Sequence, residues 1–182
     1  MALPAEPPIR PWEFLGDVDG RIYWKVEETE RTPSRSDGIC GEEERAERFK
    51  SCTVARNIVR GLFSDTDDER LQEVSRQAQC VACYCLQQFF MFRSMKQEDA
   101  RVVAVASAFA ACKVVDSPRR MREVLRTNNQ LRVKHGDAEL GEEEQRSLHE
   151  KILKLEEFLL RIIRFATSIS PCAFIRRTSP KC

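Results

Sequence analysis

Three cysteines close together are the residues whose type and spacing could hold a metal. Cys80 and Cys83 have the C-x-x-C spacing of a zinc ligand pair, and Cys85 follows shortly after. Tetrahedral zinc takes four ligands, and the two histidines, His135 and His149, stand alone in polar surroundings. Small thiols on a buried helix face explain the cluster equally well. We expect no metal site here.

Catalysis by a nucleophile needs a thiol or hydroxyl beside a base that a third group orients. Neither histidine has such neighbours in the sequence, and the seven glycines are too scattered to form a phosphate-binding loop. We therefore predict no catalytic residue and no cofactor, so the chain is not expected to be an enzyme.

Lys113 ends the uncharged apolar run 102–112 and precedes Val114 and Val115. At such a position the lysine either extends its ammonium into solvent as a simple cap, or presents a positioned cation to a partner. Its local sequence does not decide between these alternatives.

The segments around these residues have the three- and four-residue apolar spacing of helices, and no strand-like alternation is seen. Thr66 with Glu69 and Ser94 with Gln97 look like capping boxes, and Ser117-Pro118 looks like a helix start. Polar residues 128–141 look like a loop. Five helices are thus predicted, at about 42–61, 66–92, 97–114, 118–127 and 142–165.

The third predicted helix is small and apolar on every side, with alanine at six of the twelve positions from 100 to 111. A helix of this kind belongs in the middle of a bundle, where its neighbours can approach closely. The fold class is therefore predicted to be all-α, one five-helix domain around a small-residue central helix.

Composition sets the domain plan and excludes some partners. The 182 residues, 42% hydrophobic and 32% charged, suffice for one domain, and we expect an irregular N-terminal arm over 1–41, the domain over 42–166 and a tail over 167–182. A net charge of +1 gives no bulk attraction to DNA or membranes. The basic residues near the C-terminus lack interleaved aromatics, so RNA contact is not expected either. The eight cysteines are expected to be reduced thiols in an intracellular protein.

Several short motifs, in order, resemble the cyclin box of transcriptional cyclins of the K and T types. They are Tyr23-Trp24, Thr32-Pro33-Ser34-Arg35, Phe89–Ser94, Ala110–Asp116, Leu155-Glu156, Leu159-Leu160 and Ile163–Phe165. The resemblance covers about 22–168. It implies a single cyclin box without the second five-helix repeat, since the chain ends at Cys182, about where that repeat would begin.

The resemblance implies a regulatory subunit that binds and activates a cyclin-dependent kinase, one that acts in RNA polymerase II transcription. The kinase-binding positions of the family correspond here to Lys113 and Glu156, with Val114, Leu160 and Phe165 as apolar contacts. A nuclear location is implied, with the cytoplasm as a second one. The alternative is a single-box cyclin-like protein that binds a partner without activating a kinase.

Overall fold

The computed structural model describes residues 31–64 and 68–161 with their side chains, and the backbone of residues 15–18, 21–23 and 162–163. A one-turn helix and five longer helices follow a short strand pair. The elements are β1 (Leu15–Val18), β2 (Arg21–Tyr23), α1 (Pro33–Ser36), α2 (Gly41–Leu62), α3 (Glu69–Phe92), α4 (Ala100–Val114), α5 (Met121–Lys134) and α6 (Glu142–Ile163). The all-α five-helix fold is confirmed.

Helix α4 lies at the centre of the bundle, as its small residues predicted. It packs against α2, α3, α5 and α6, and every residue from 103 to 112 is buried. Alanine side chains let four neighbouring backbones come close without leaving voids. The C-terminal end of this buried helix delivers Lys113 to the surface.

Aromatic packing fixes α6 against α3. The Phe89 ring makes edge-to-face contacts with Phe90 on its own helix, at 5.2 Å between centroids, and with Phe158 on α6, at 5.4 Å. Ile152 and Leu159 on α6 are fully buried as well. The inward face of α6 is therefore set by these residues, and this orients Glu156 between them.

The inward face of α2 was predicted incorrectly at one position. Its three-residue spacing to Cys52 predicts that Phe49 lies on the buried face, but Phe49 is 75% exposed, whereas Glu44 and Arg48 are buried. Apolar spacing alone pointed to Phe49, because the buried ion pair that replaces it on the inner face carries no hydrophobic signal.

Three helix boundaries also differ from the sequence-based expectation. Helices α3 and α4 begin after aspartates rather than at the predicted capping boxes: Asp68 accepts from Arg70 N, and Asp99 from Arg101 N, both at 2.8 Å. Thr66 lies outside the described residues. Helix α5 starts at Met121, not Pro118, because Ser117 N donates to Cys112 O at 3.0 Å and so closes the end of α4.

Helix α5 runs to Lys134, through the first part of the predicted loop. Two asparagines suggested the loop, yet both are buried in the helix. The Asn129 amide donates to Glu139 and accepts from Leu140 N, each at 2.9 Å. The connection after α5 thus supplies the hydrogen bonds that make a buried asparagine tolerable.

The N-terminal arm contributes one feature that the sequence did not predict. Strands β1 and β2 form an antiparallel pair with Leu15 opposite Tyr23 and Val18 opposite Arg21. The sequence Thr32-Pro33-Ser34 favours a turn, and in the structure it is the start of α1, where Thr32 is the N-cap residue. The side chains of Trp12, Phe14, Tyr23 and Trp24 and the predicted tail at 167–182 lie outside the described residues, and the domain boundaries stay predictions.

Candidate functional site

The structure brings together Lys113 and Glu156, which are far apart in the sequence. Lys113 Nζ lies 2.5 Å from Glu156 Oε1, across the contact between the end of α4 and the middle of α6. The lysine side chain is 40% exposed and the glutamate side chain only 8%. An accessible cation therefore covers a nearly buried carboxylate.

The carboxylate of Glu156 is only partly satisfied by this ion pair. Oε1 is buried against the Lys113 ammonium, and no further hydrogen bond reaches it from the described residues. The ammonium balances the charge, but a carboxylate has about four lone-pair sites and one close contact fills only one of them. Buried acceptors rarely lack hydrogen-bond donors, since a missing hydrogen bond costs about 1–3 kcal/mol. The Glu156 side chain keeps 8% exposure, so an N–H group from outside the chain can approach the carboxylate beside the ammonium rather than at the buried Oε1.

The ammonium group of Lys113 is held from a second side. Nζ lies 4.4 Å from the centroid of the Phe109 ring, one helical turn earlier on α4. Cation–π attraction and the ion pair together restrict the side chain. Lysine has three N–H donors, so the ammonium can keep this position and still donate to a ligand.

Exposed aliphatic side chains lie around the ion pair. Leu153 and Leu160 are exposed on α6, three residues before and four after Glu156, so they lie on the same side of the helix. Val114, also exposed, follows Lys113 at the last position of α4. We call Lys113, Val114, Leu153, Glu156 and Leu160 the Lys113 face.

Four of the five predicted contact residues belong to this face, and Phe165 lies outside the described residues. Leu153 was missed, although its spacing to Leu160 was a usable signal. In the sequence it looked like one of several leucines in an apolar helix, and only its 47% exposure separates it from the buried ones.

The cysteine cluster has no metal-binding arrangement among residues 31–64 and 68–161, where no group of three or more His, Cys, Asp or Glu side chains could hold an ion. Burial raises the pKa of Cys85 to about 12 and that of Cys112 to about 11. Both side chains are therefore protonated at neutral pH.

None of the described helices combines the length and apolar character needed to cross a bilayer.

Two curated relatives are similar to this chain, and both are cyclins. Cyclin-K of Danio rerio is 27% identical over 157 residues, which is 85% of this chain and 33% of that protein. Cyclin-T1.1 of Caenorhabditis elegans is 29% identical over 99 residues, which is 54% of this chain and 21% of that protein. The chain spans a third or less of the length of these relatives, and no family model matches it. The two similarities support a cyclin-like relationship.

Proposed function

We propose that this chain is a cyclin-type regulatory subunit that binds and activates a cyclin-dependent kinase acting in RNA polymerase II transcription. Similarity to Cyclin-K and Cyclin-T1.1 supports the class of protein. The observation that carries the assignment to a site is the ion pair of Lys113 and Glu156, set among exposed aliphatic side chains. The nucleus is the location that fits this function.

The Lys113 face has the chemistry needed to hold a backbone segment of a kinase. A kinase becomes active when a glutamate on its regulatory helix reaches the lysine at the ATP phosphates. A partner can hold that helix in place by binding the backbone at its ends. Lys113 offers N–H donors to carbonyl oxygens, and the Glu156 carboxylate offers acceptor sites to backbone amide groups.

The apolar side chains of this face add affinity and exclude water. When a partner covers Val114, Leu153 and Leu160, which are 37–47% exposed, each side chain contributes about 0.6–1.4 kcal/mol before binding entropy is subtracted. Covering them also excludes water from the ion pair of Lys113 and Glu156, and hydrogen bonds to charged groups then become stronger. The Lys113 face thus provides both the ion pair that would orient a partner and the apolar side chains that would add affinity for it.

Affinity capture from cells tests the proposal. The double variant Lys113→Ala with Glu156→Ala should lose its kinase, while a matched variant, Glu73→Ala with Arg76→Ala, should keep it. The control also removes an ion pair, an exposed one on α3 at 2.9 Å. Circular dichroism must show equal helical content for both. Equal kinase recovery with the two variants would refute the proposed site.

A kinase assay separates activation from binding alone. The purified chain is added to the captured kinase, and phosphorylation of a peptide from the polymerase tail is measured. Stimulation that is lost with Glu156→Gln, a change that keeps the side-chain volume, supports an activating subunit. Binding without stimulation favours the alternative, a cyclin-like protein that occupies a partner without activating it.

A further inference from the structure

Two thiols meet where α2 packs against α3, away from the residues of the Lys113 face. Cys52 lies on α2, and Cys83 on α3 donates its Sγ–H to Cys52 O at 3.8 Å. The Cys83 thiol also lies close enough to the Cys52 sulfur to change its acidity. Both cysteines are partly exposed and neither is in a disulfide. Small reagents can therefore reach the pair.

A buried arginine orients the third group at this site. Arg48 Nη1 donates to Gln87 Oε1 at 3.1 Å and also to Gln87 O at 3.1 Å. With its oxygen fixed in this way, the Gln87 amide directs Nε2 at Cys52 Sγ, 3.3 Å away. A sulfur that accepts an N–H hydrogen bond is stabilised in its anionic form. Arg48, Gln87 and Cys52 form a continuous hydrogen-bonded series.

The two sulfurs have different acidities. Hydrogen bonding from Cys83 lowers the pKa of Cys52 to about 7, and it outweighs the opposing effect of burial, with help from Gln87. Arg48 and Arg56 on α2 act in the same direction. The pKa of Cys83 is raised, first by its hydrogen bond to Cys52 and then by burial, and Cys80 on α3 contributes. When the pair loses one proton, the negative charge therefore resides mainly on Cys52, and Cys83 keeps its proton.

We propose that Cys52 and Cys83 form an oxidation site for hydroperoxides, in which Cys52 is the nucleophile and Cys83 is the resolving thiol. The Cys52 thiolate attacks the terminal peroxide oxygen, the O–O bond breaks, and after proton transfer the products are a sulfenic acid and the alcohol of the hydroperoxide, which is water when the oxidant is hydrogen peroxide. The Cys83 sulfur then attacks the sulfenic sulfur, and the hydroxyl group leaves with the Cys83 proton as water. The two thiols together give two electrons, and the product is a disulfide that links α2 to α3.

The expected advantage of Cys52 is modest at neutral pH and larger in mild acid. About half of a thiol with this acidity is ionised at pH 7, against about 3% of an ordinary one that titrates near 8.5. Lower basicity makes the thiolate a weaker nucleophile by about fivefold over this interval. The net gain in rate is about threefold at pH 7 and about sixfold at pH 6 over an ordinary thiol of equal access.

Peroxide oxidation followed by mass spectrometry tests this proposal on the full chain. Limiting hydrogen peroxide should give a Cys52–Cys83 disulfide that dithiothreitol reverses, before the exposed Cys40 is oxidised. Cys83→Ser should accumulate a sulfenic acid at Cys52, trapped with dimedone, and Cys52→Ser should leave Cys83 reduced. Oxidation of Cys40 first, or unchanged oxidation of Cys83 in Cys52→Ser, would overturn the assignment.

The role of Gln87 has its own test. Gln87→Met keeps the side-chain length and removes the N–H donor, so the oxidation rate at pH 6 should fall by about twofold, a part of the sixfold total. The matched control, Gln72→Met on the exposed part of the same helix, should leave the rate unchanged. An equal rate in both variants would show that the hydrogen bond does not activate Cys52. None of these measurements requires a kinase, so they stand apart from the proposed function.

Discussion

Arg48 donates two hydrogen bonds to one oxygen of Glu44, from Nε at 3.1 Å and from Nη2 at 2.7 Å. The other oxygen accepts from Arg35 Nε of α1 at 2.8 Å. Arg48 continues to Phe90 O on α3 at 2.8 Å and lies over the Phe90 ring. A single buried carboxylate therefore connects the arm, through Arg35, and α3, through Arg48, to α2.

Replacing Arg48 should destabilise the fold strongly. Arg48→Ala leaves Glu44 charged and buried beside only one arginine, and it removes the donors to Gln87 and Phe90. Loss of one partner of a buried ion pair costs about 3–5 kcal/mol. Urea unfolding measures the change. Arg76→Ala, which removes an exposed pair, should cost less than about 1 kcal/mol, and similar losses for both variants would contradict the prediction.

Acid should weaken the ion pairs of Glu44 with Arg48 and Arg35. Burial raises the pKa of Glu44, but hydrogen bonds from Arg48, Thr32 and Arg35 more than offset it, so the pKa lies below the ordinary value of 4.5. The unfolded chain then binds the proton more readily than the folded one. This contribution to the free energy of unfolding is complete above pH 4.5 and is lost as the pH falls through the lowered pKa of the folded state.

The comparison that isolates this contribution uses Glu44→Gln. The variant should be less stable at neutral pH, and its free energy of unfolding should depend less on pH below 4.5 than that of the natural chain. Parallel pH dependences, measured by urea unfolding from pH 3 to 7, would show that Glu44 titrates with an ordinary pKa in the folded state.

Gly61 is needed for the contact between α2 and α5. A Cβ built at this position would lie 2.7 Å from Thr127 Cγ2, too close for any real contact. Gly61→Ala should therefore destabilise the domain by about 1 kcal/mol, since overpacking outweighs the better helix propensity of alanine. In a Thr127→Ser background, which lacks that methyl group, the same change should become neutral or stabilising. Additive effects in this double-mutant cycle would contradict the contact.

How far the sequence predicted this structure depends on which force sets each feature. The central position of α4 followed from its alanines, because close backbone approach is a direct consequence of side-chain size. Helix starts were less accurate: Asp68 and Asp99 compete with nearby serines and threonines as caps, and only the local backbone decides among them. The backbone N–H of Ser117 donates to the end of α4, whereas the sequence pattern placed Ser117 at the start of the next helix.

Buried polar contacts were the least predictable part of the fold and of the site. Glu44 and Arg48 have the spacing of an ordinary surface pair, and nothing in their helix indicates that Arg35 and Phe90 will enclose them. Lys113 and Glu156 were paired by resemblance rather than by spacing, since 42 residues separate them in the chain. The incomplete hydrogen bonding of Glu156 is a three-dimensional property that no sequence pattern contains.

Leu153 should contribute to partner binding, if the Lys113 face is the surface that a kinase covers. Leu153→Asp places a negative charge beside Glu156, in a region from which binding would exclude water. The change therefore adds a desolvation cost and charge repulsion to the free energy of binding. Kinase capture should fall at least about tenfold, which corresponds to about 1.4 kcal/mol. The variant and its control should each lose about 1–1.5 kcal/mol of the free energy of unfolding, because both side chains are half exposed and aspartate is a poorer helix former. Val133→Asp on α5, where the valine is also exposed, is the matched control and should leave capture unchanged. Capture reduced equally by both variants would show that added negative charge, not the position of Leu153, is responsible.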